Sequence, residues 1–382
     1  MDDAPPATIA ASDGGGLTPQ RKRALLIVGS VVVVGVLVAG LAFGGCGTGE
    51  KLSAGAISTT TVVPSTTAPV LSTTTAPPRG PVAPLTGLRL AEGANVSRPA
   101  LAVKIDNLDA ARESALPQMG LQKADIVFEE IVEGNITRLV AIFQSQSPGR
   151  VGPVRSARTT DVHLLPQLGR TLLAWSGGND GVVAAVRASA AIINVGADAA
   201  SSAYARDRSR RAPHNLFVDT EALWGRTPAG TPPPPPLFQY RVPGQPNPAS
   251  AKASYGVDLT WGGGAASSSV TWRWDRRLRV FVRSQNGRPH LDSSGTRLAA
   301  RNVVVLVTPY GRSPADLRSP EALTVGGGEA FVYSNGKVIH GRWARPSEDK
   351  PAALFDSTNQ PVLLTPGQTW IELPRAGGVT NR

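Results

Sequence analysis

The stretch Ala124–Ser145, ADIVFEEIVEGNITRLVAIFQS, decides the fold. Ile126, Phe128, Glu130 and Val132 occupy alternate positions, with Val127, Glu129, Ile131 and Glu133 between them. After Gly134-Asn135 the alternation resumes with Ile136, Arg138, Val140 and Ile142. A period of two puts successive side chains on opposite faces of a strand, and a Gly-containing break between two such runs predicts a β-hairpin. Glu129 and Glu130 therefore point opposite ways, so only some of the hairpin acids can converge.

Working outward, PALAVKIDN (Pro99–Asn107) is a short apolar run closed by a polar turn, which reads as a strand with Lys104 and Asp106 on one face and Asn107 on the other. Downstream, Asp161, His163, Leu164, Leu165 and Leu168 suggest an amphipathic helix that Pro166 ends or kinks. TLLAWSG then reads as a buried strand, and Gly181–Asp198 as a second helix followed by a short strand. Between Arg226 and Ser250 lie five consecutive prolines, which cannot join a central sheet, so this segment reads as a linker. Beyond it come four strand or hairpin units. Asn335-Gly336 is the clearest two-residue turn, and Trp272 and Trp274 share a strand face, which with Trp261, Trp343 and Trp370 reads as a β core or, alternatively, as a platform for stacking sugars.

Upstream the chain changes character. Residues 24–45 form an apolar run of about the length needed to cross a bilayer, and the basic cluster Arg21-Lys22-Arg23 before it leaves residues 1–23 in the cytoplasm. Cys46, the only cysteine, follows in FGGCG. It is either the lipidated residue of a lipoprotein signal or the edge of an uncleaved anchor. Residues 46–83, rich in Thr, Ser and Pro, offer little to bury and read as a disordered stalk. The expected fold class is α+β: a membrane-anchored chain with a mixed α/β N-terminal extracytoplasmic domain over 84–225, a Pro-rich linker over 226–250 and a β-rich C-terminal domain over 251–382.

The net charge of +11 would suggest nucleic acid in an intracellular protein. Outside the membrane its natural counterions are anionic lipids, wall polymers and glycans, or an envelope protein, and no nucleic acid is expected as a partner. With one cysteine there is no intrachain disulfide and no thiol nucleophile in the outer part. Four dispersed histidines without ligand spacing call for no metal, and no motif calls for a cofactor.

The chemistry concentrates in VGPVRSARTTD, Val151–Asp161. Ser156 can cap a helix starting there, and Arg155 and Arg158 beside that start offer forked donors suited to carboxylate or phosphate. The same arginines could instead neutralise Glu129, Glu130 or Glu133 within the domain. In RRAPHNLF, His214 and Asn215 add an imidazole and an amide, as proton-transfer or ligand contacts or as ordinary loop residues. No G-x-S-x-G elbow surrounds Ser156, so a Ser-His-Asp hydrolase is poorly supported.

Taken in order, PLTGL, RPALAVKIDN, ADIVFEEIVEGNITR, GPVRSAR and APHNLF, then GRWARP and LLTPGQTWIEL, resemble the YerB-like family of bacterial envelope lipoproteins over Pro84–Leu373. The resemblance implies an exported, tethered protein with an α/β N-terminal and a β-rich C-terminal domain, and assigns no catalytic residue. The expectation is a binding module using Lys104, Asp106, Glu129, Glu130, Arg155, Ser156, Arg158, His214 and Asn215, with no catalytic set. The alternative is an envelope hydrolase or transferase acting on wall glycan or phosphorylated polymer, with an acid from Glu129 or Glu130, or His214 as base.

Overall fold

The computed structural model describes residues 79–262 and 268–382. The tail 1–23, the apolar run 24–45, Cys46 and the stalk up to residue 78 lie outside the described residues. No helix among the described residues is long and apolar enough to cross a membrane. The last residues assigned to the stalk are already folded: Val82 bridges Arg89, and Ala83 is fully buried.

The hairpin forms as its alternation requires. After β1 (Leu101–Asp106), β2 (Ile126–Ile131) and β3 (Thr137–Phe143) pair antiparallel around a tight turn at Glu133–Asn135. Helix α1 (Thr159–Leu164) is short and passes into a 3-10 turn containing Pro166. Strand β4 (Thr171–Ala174), helix α2 (Asp180–Ala188) and β5 (Ile192–Asn194) follow as a parallel βαβ unit, and α3 (Thr220–Trp224) closes this half.

The second half contributes β6 (Gly256–Trp261), β7 (Ser268–Asp275) and β8 (Val280–Gln285), then β9 (Asn302–Leu306), β10 (Gly326–Ser334), β11 (Lys337–Arg345) and β12 (Thr369–Glu372). Strands β10 and β11 meet at Asn335-Gly336, both at positive φ (53° and 71°), the backbone a tight hairpin turn needs.

Two sheets result. The larger has 11 strands: a short strand at Lys252–Ala253, then β11, β10, β9, β12, β2, β3, β1, β4 and β5, with Ala353–Asp356 pairing β11. Strand β12 lies between β9 and β2, parallel to both, so one sheet is continuous through both halves. Beneath it, β6, β7 and β8 form the centre of a six-stranded antiparallel sheet. The core between the sheets joins Leu101, Val103, Leu139 and Phe143 to Val257, Trp261, Trp272, Phe281 and Trp370. The opposite face of the large sheet packs Ala102, Phe128, Val140 and Ile142 against Leu164, Val182 and Leu237.

The expected α+β description is thus corrected toward β. The described residues hold three α-helices, none longer than nine residues, and the C-terminal strands both extend the N-terminal sheet and build a second sheet of their own. The Pro-rich segment 226–250 is packed rather than a loose tether. Leu237 is buried, the Arg241 amide donates to the Leu364 carbonyl, and the Tyr240 hydroxyl donates to the Leu85 carbonyl. Trp261, Trp272 and Trp370 are fully buried, so none presents a face to a sugar.

Candidate functional site

Strands β1, β2, β4, β5, β9 and β12 run in one direction, so their carboxyl ends share one edge of the large sheet. In open sheets with parallel strands that edge is where ligands are usually held. Register places Asp106 opposite Arg138, and Arg138 opposite Glu130, so β1, β3 and β2 set an acid, a guanidinium and an acid side by side. All three side chains are buried.

Lys104, two residues before Asp106 on the same face, is fully buried and pairs with Glu130 and with Asp161 Oδ1 at 2.7 Å. Burial raises the Glu130 carboxyl above its usual range, and the Lys104 ammonium pulls it back only in part. The other Asp161 oxygen accepts the Arg158 amide at 2.7 Å. A lysine in the sheet thereby fixes the start of α1 and the arginine loop before it.

That loop differs from the expected helix cap. Helix α1 begins at Thr159, not at Ser156, and is too short to offer a helix-terminus anion site. The Ser156 hydroxyl instead donates to the Ser176 carbonyl at 3.2 Å, just beyond β4, where Gly177 turns the chain with a φ of 78°. The Ser156 carbonyl accepts from an Arg138 terminal nitrogen at 3.0 Å.

The arginines divide their tasks. Arg158 is bound to Glu133, its Nε 3.0 Å and a terminal nitrogen 2.5 Å from Oε2. Burial alone would raise the Glu133 carboxyl, but the hydrogen bonds from Arg158 and Ser319 hold it at about 2. Arg155 Nε lies 2.8 Å from Asp106 Oδ2, an ion pair in which the N–H is not aligned for a hydrogen bond, and a quarter of the side chain is exposed. Its two terminal nitrogens hold no hydrogen bond to the described residues. Arg138, only 6% exposed, has a buried Nε without a partner. Burial, and then the positive charges of Arg158 and Arg155, depress its guanidinium to about 10. Arg138, Arg155 and Arg158 thus crowd like charges and leave donors free, an arrangement that a bound anion would relieve.

His214 is 3% exposed and lies between two carboxylates, with Nδ1 2.6 Å from Asp106 Oδ2 and Nε2 2.7 Å from Glu113 Oε1. Both ring nitrogens are therefore occupied. Glu113 stands on a small hairpin, Asp109–Ser114, and is exposed on its other side.

Of the residues selected from sequence, Lys104, Asp106, Glu130, Arg155, Ser156, Arg158 and His214 come together at this edge. Glu129 does not. It points to the opposite face as strand alternation dictates, and there accepts from Asn107, Thr137 and Arg283 in a fully buried network. Asn215 accepts from Arg206 and donates to the Arg210 carbonyl, which braces its own loop. Arg138, Glu113 and Asp161 join the cluster, although reading the sequence alone assigns the first and last no place in the binding set and does not single out Glu113. Arg138 could have been found, because hairpin parity puts it on the Glu130 face, whereas Glu113 and Asp161 carry no such signal.

Comparison with known proteins agrees with this architecture. Residues 85–231 match the "Protein of unknown function (DUF3048) N-terminal domain" and residues 257–371 match the corresponding C-terminal domain. The chain is 30% identical over 306 residues to "Putative lipoprotein YerB" of Bacillus subtilis (strain 168), spanning 76% of this chain and 85% of that protein. The crystal structure of the YerB protein from Bacillus subtilis aligns with a TM-score of 0.67 at 27% identity, covering 78% of this chain and 99% of that one.

Proposed function

This chain belongs to the YerB-like family with paired DUF3048 domains, and from that premise we propose that it is a tethered extracytoplasmic module that holds an anionic group at the carboxyl edge of its large sheet. One observation carries the reading: the partnerless, buried Nε of Arg138 lies in the same cluster as the Arg155 side chain, a quarter of which is exposed. Buried donors are ordinarily satisfied, and an arginine pair short of acceptors matches carboxylate or phosphate oxygens. Asp106 aims Arg155, while the Lys104–Asp161 pair and Glu133 hold the loop and Arg158 in place.

Tethering is supported by the apolar run 24–45 behind a basic cluster, by Cys46 at its end and by the lipoprotein name of the Bacillus relative. Mass spectrometry of the intact membrane form tests the anchor: a lipid adduct on Cys46 with loss of residues 1–45 marks a lipoprotein, and an unmodified full-length chain marks an uncleaved anchor. The anion site is tested by titrating inorganic phosphate into wild type and Arg155→Ala. Saturable binding is expected in the first and none in the second, and equal behaviour of the two would refute the site.

A second reading, an envelope enzyme acting on wall glycan or phosphorylated polymer, draws on the Asp106–His214 hydrogen bond, the pair that orients a general base elsewhere. It requires Glu113 to leave Nε2, since a base must face the proton it removes. Turnover of cell-wall material that is lost in both His214→Ala and Arg155→Ala would favour it over simple binding.

A further inference from the structure

We infer that the anion held at Arg155 is one unit of a phosphate-repeat polymer whose chain continues past Glu133 into a second, basic groove. This rests on the anion-site reading and adds the class of ligand. The groove is an open depression of about 730 Å³ at the same edge of the sheet, lined by Glu133, Gly134, Asn135, Arg312, Arg318 and Arg375 among others. Glu133 belongs to both places: its Oε2 binds Arg158, and its Oε1 accepts from Ser319, which also lines the groove. The arginine loop and the groove therefore adjoin through a single carboxylate that is already neutralised.

The lining is unevenly charged. Arg312 and Arg375 are exposed and form no ion pair among the described residues, and Arg375 lies 5.0 Å over the Tyr310 ring, which steadies the guanidinium without cancelling its charge. Arg318 is 90% exposed and pairs with Asp316, two residues away, which also accepts from Ser319. Exposed arginines normally scatter or pair. Here three line one depression whose own acid is occupied, two of them without an ion-pair partner among the described residues, near a buried arginine short of acceptors. A single small anion would fill only the Arg155 end, whereas a chain with an anionic group at each repeat meets both. Phosphate suits the first position because its oxygens diverge tetrahedrally, so guanidiniums arriving from different directions can each bind one.

The experiment uses the full chain in detergent, with orthophosphate, long-chain inorganic polyphosphate and heparin as probes at fixed ionic strength. Per chain end, polyphosphate is expected to bind at least tenfold more tightly than orthophosphate. Arg312→Glu combined with Arg375→Glu is expected to erase that advantage while leaving orthophosphate binding intact. Arg276→Glu combined with Arg277→Glu, the same charge change at exposed positions outside the groove, is expected to leave the advantage in place. Loss of the advantage in both double variants, or its survival in the groove variant, would overturn the polymer track while the single-anion site stood. Heparin binding as tightly, with the same dependence on Arg312 and Arg375, would overturn the assignment to phosphate. Failure of orthophosphate and polyphosphate alike would overturn the anion site itself.

Discussion

Asp106 Oδ2 stands 2.8 Å from Arg155 Nε, and the same oxygen is 2.6 Å from His214 Nδ1. One buried carboxylate at the end of β1 thus orients the cation offered to a ligand and the imidazole beside it. Replacing it by asparagine keeps the shape but removes the charge that both partners face. Asp106→Asn is expected to destabilise the chain by about 3 kcal/mol, the lower end of the cost of breaking a buried pair, because Arg155 is partly solvated. It should also weaken phosphate binding. Chemical denaturation alongside phosphate titration checks both, and unchanged values would remove Asp106 from its positioning role.

Lys104 is the more costly residue to lose. Lys104→Met leaves Glu130 and Asp161 buried without their cation and is expected to cost about 3–5 kcal/mol. Adding Glu130→Gln should recover part of that loss, since the uncompensated charge is then smaller. A double-mutant cycle by urea denaturation reads the coupling, and strict additivity would contradict it.

Glu133 sets an acid limit. Its carboxyl is lowered from an ordinary value near 4.5 to about 2. Above 4.5 it is ionised in folded and unfolded chains alike, and its contribution is complete. As pH falls from 4.5 toward 2 the unfolded chain takes up the proton first, so this contribution is progressively lost. Glu133→Gln should be less stable than wild type at pH 6, with the difference shrinking toward pH 2. A difference that stays constant over that range would exclude the Arg158–Glu133 pair as its source.

Glu372 has the opposite sign. Burial, and then the neighbouring Glu129 carboxylate, raise its carboxyl well above the usual range, although Arg283 draws it down. The native state keeps a proton that the unfolded chain releases near 4.5, so this contribution is complete below that value and declines as pH rises toward the raised native value. Glu372→Gln, which imitates the protonated acid, is expected to match or exceed wild-type stability at pH 8 and to flatten the dependence on pH. A loss of more than about 2 kcal/mol at pH 8 would show instead that the ionised form is the one required.

Much of this arrangement is legible along the chain because it is local. The Ala124–Ser145 alternation gives one hairpin, Asn335-Gly336 gives the turn of another, and parity puts Lys104 and Asp106 together and separates Glu129 from Glu130. What stays hidden is long-range pairing. Nothing near Thr369–Glu372 announces that this strand will lie between β9 and β2, so the continuity of the sheet and the burial of Glu129 against Arg283 emerge only in three dimensions. The helix starts at Thr159 rather than at Ser156 for a related reason. Ser156 has the chemistry of a cap, but Asp161 is anchored by Lys104 from β1 and binds the Arg158 amide, which starts the helix later.

The most direct test of the anion site is the unfolding midpoint of the full chain in detergent as inorganic phosphate is increased at constant ionic strength, wild type against Arg155→Ala. A ligand bound only by the folded state raises stability by RT ln(1 + [L]/Kd). Wild type should therefore show a saturable rise in midpoint that is absent from the variant. A rise of the same size in both proteins, or in neither, would contradict an anion site at Arg138 and Arg155.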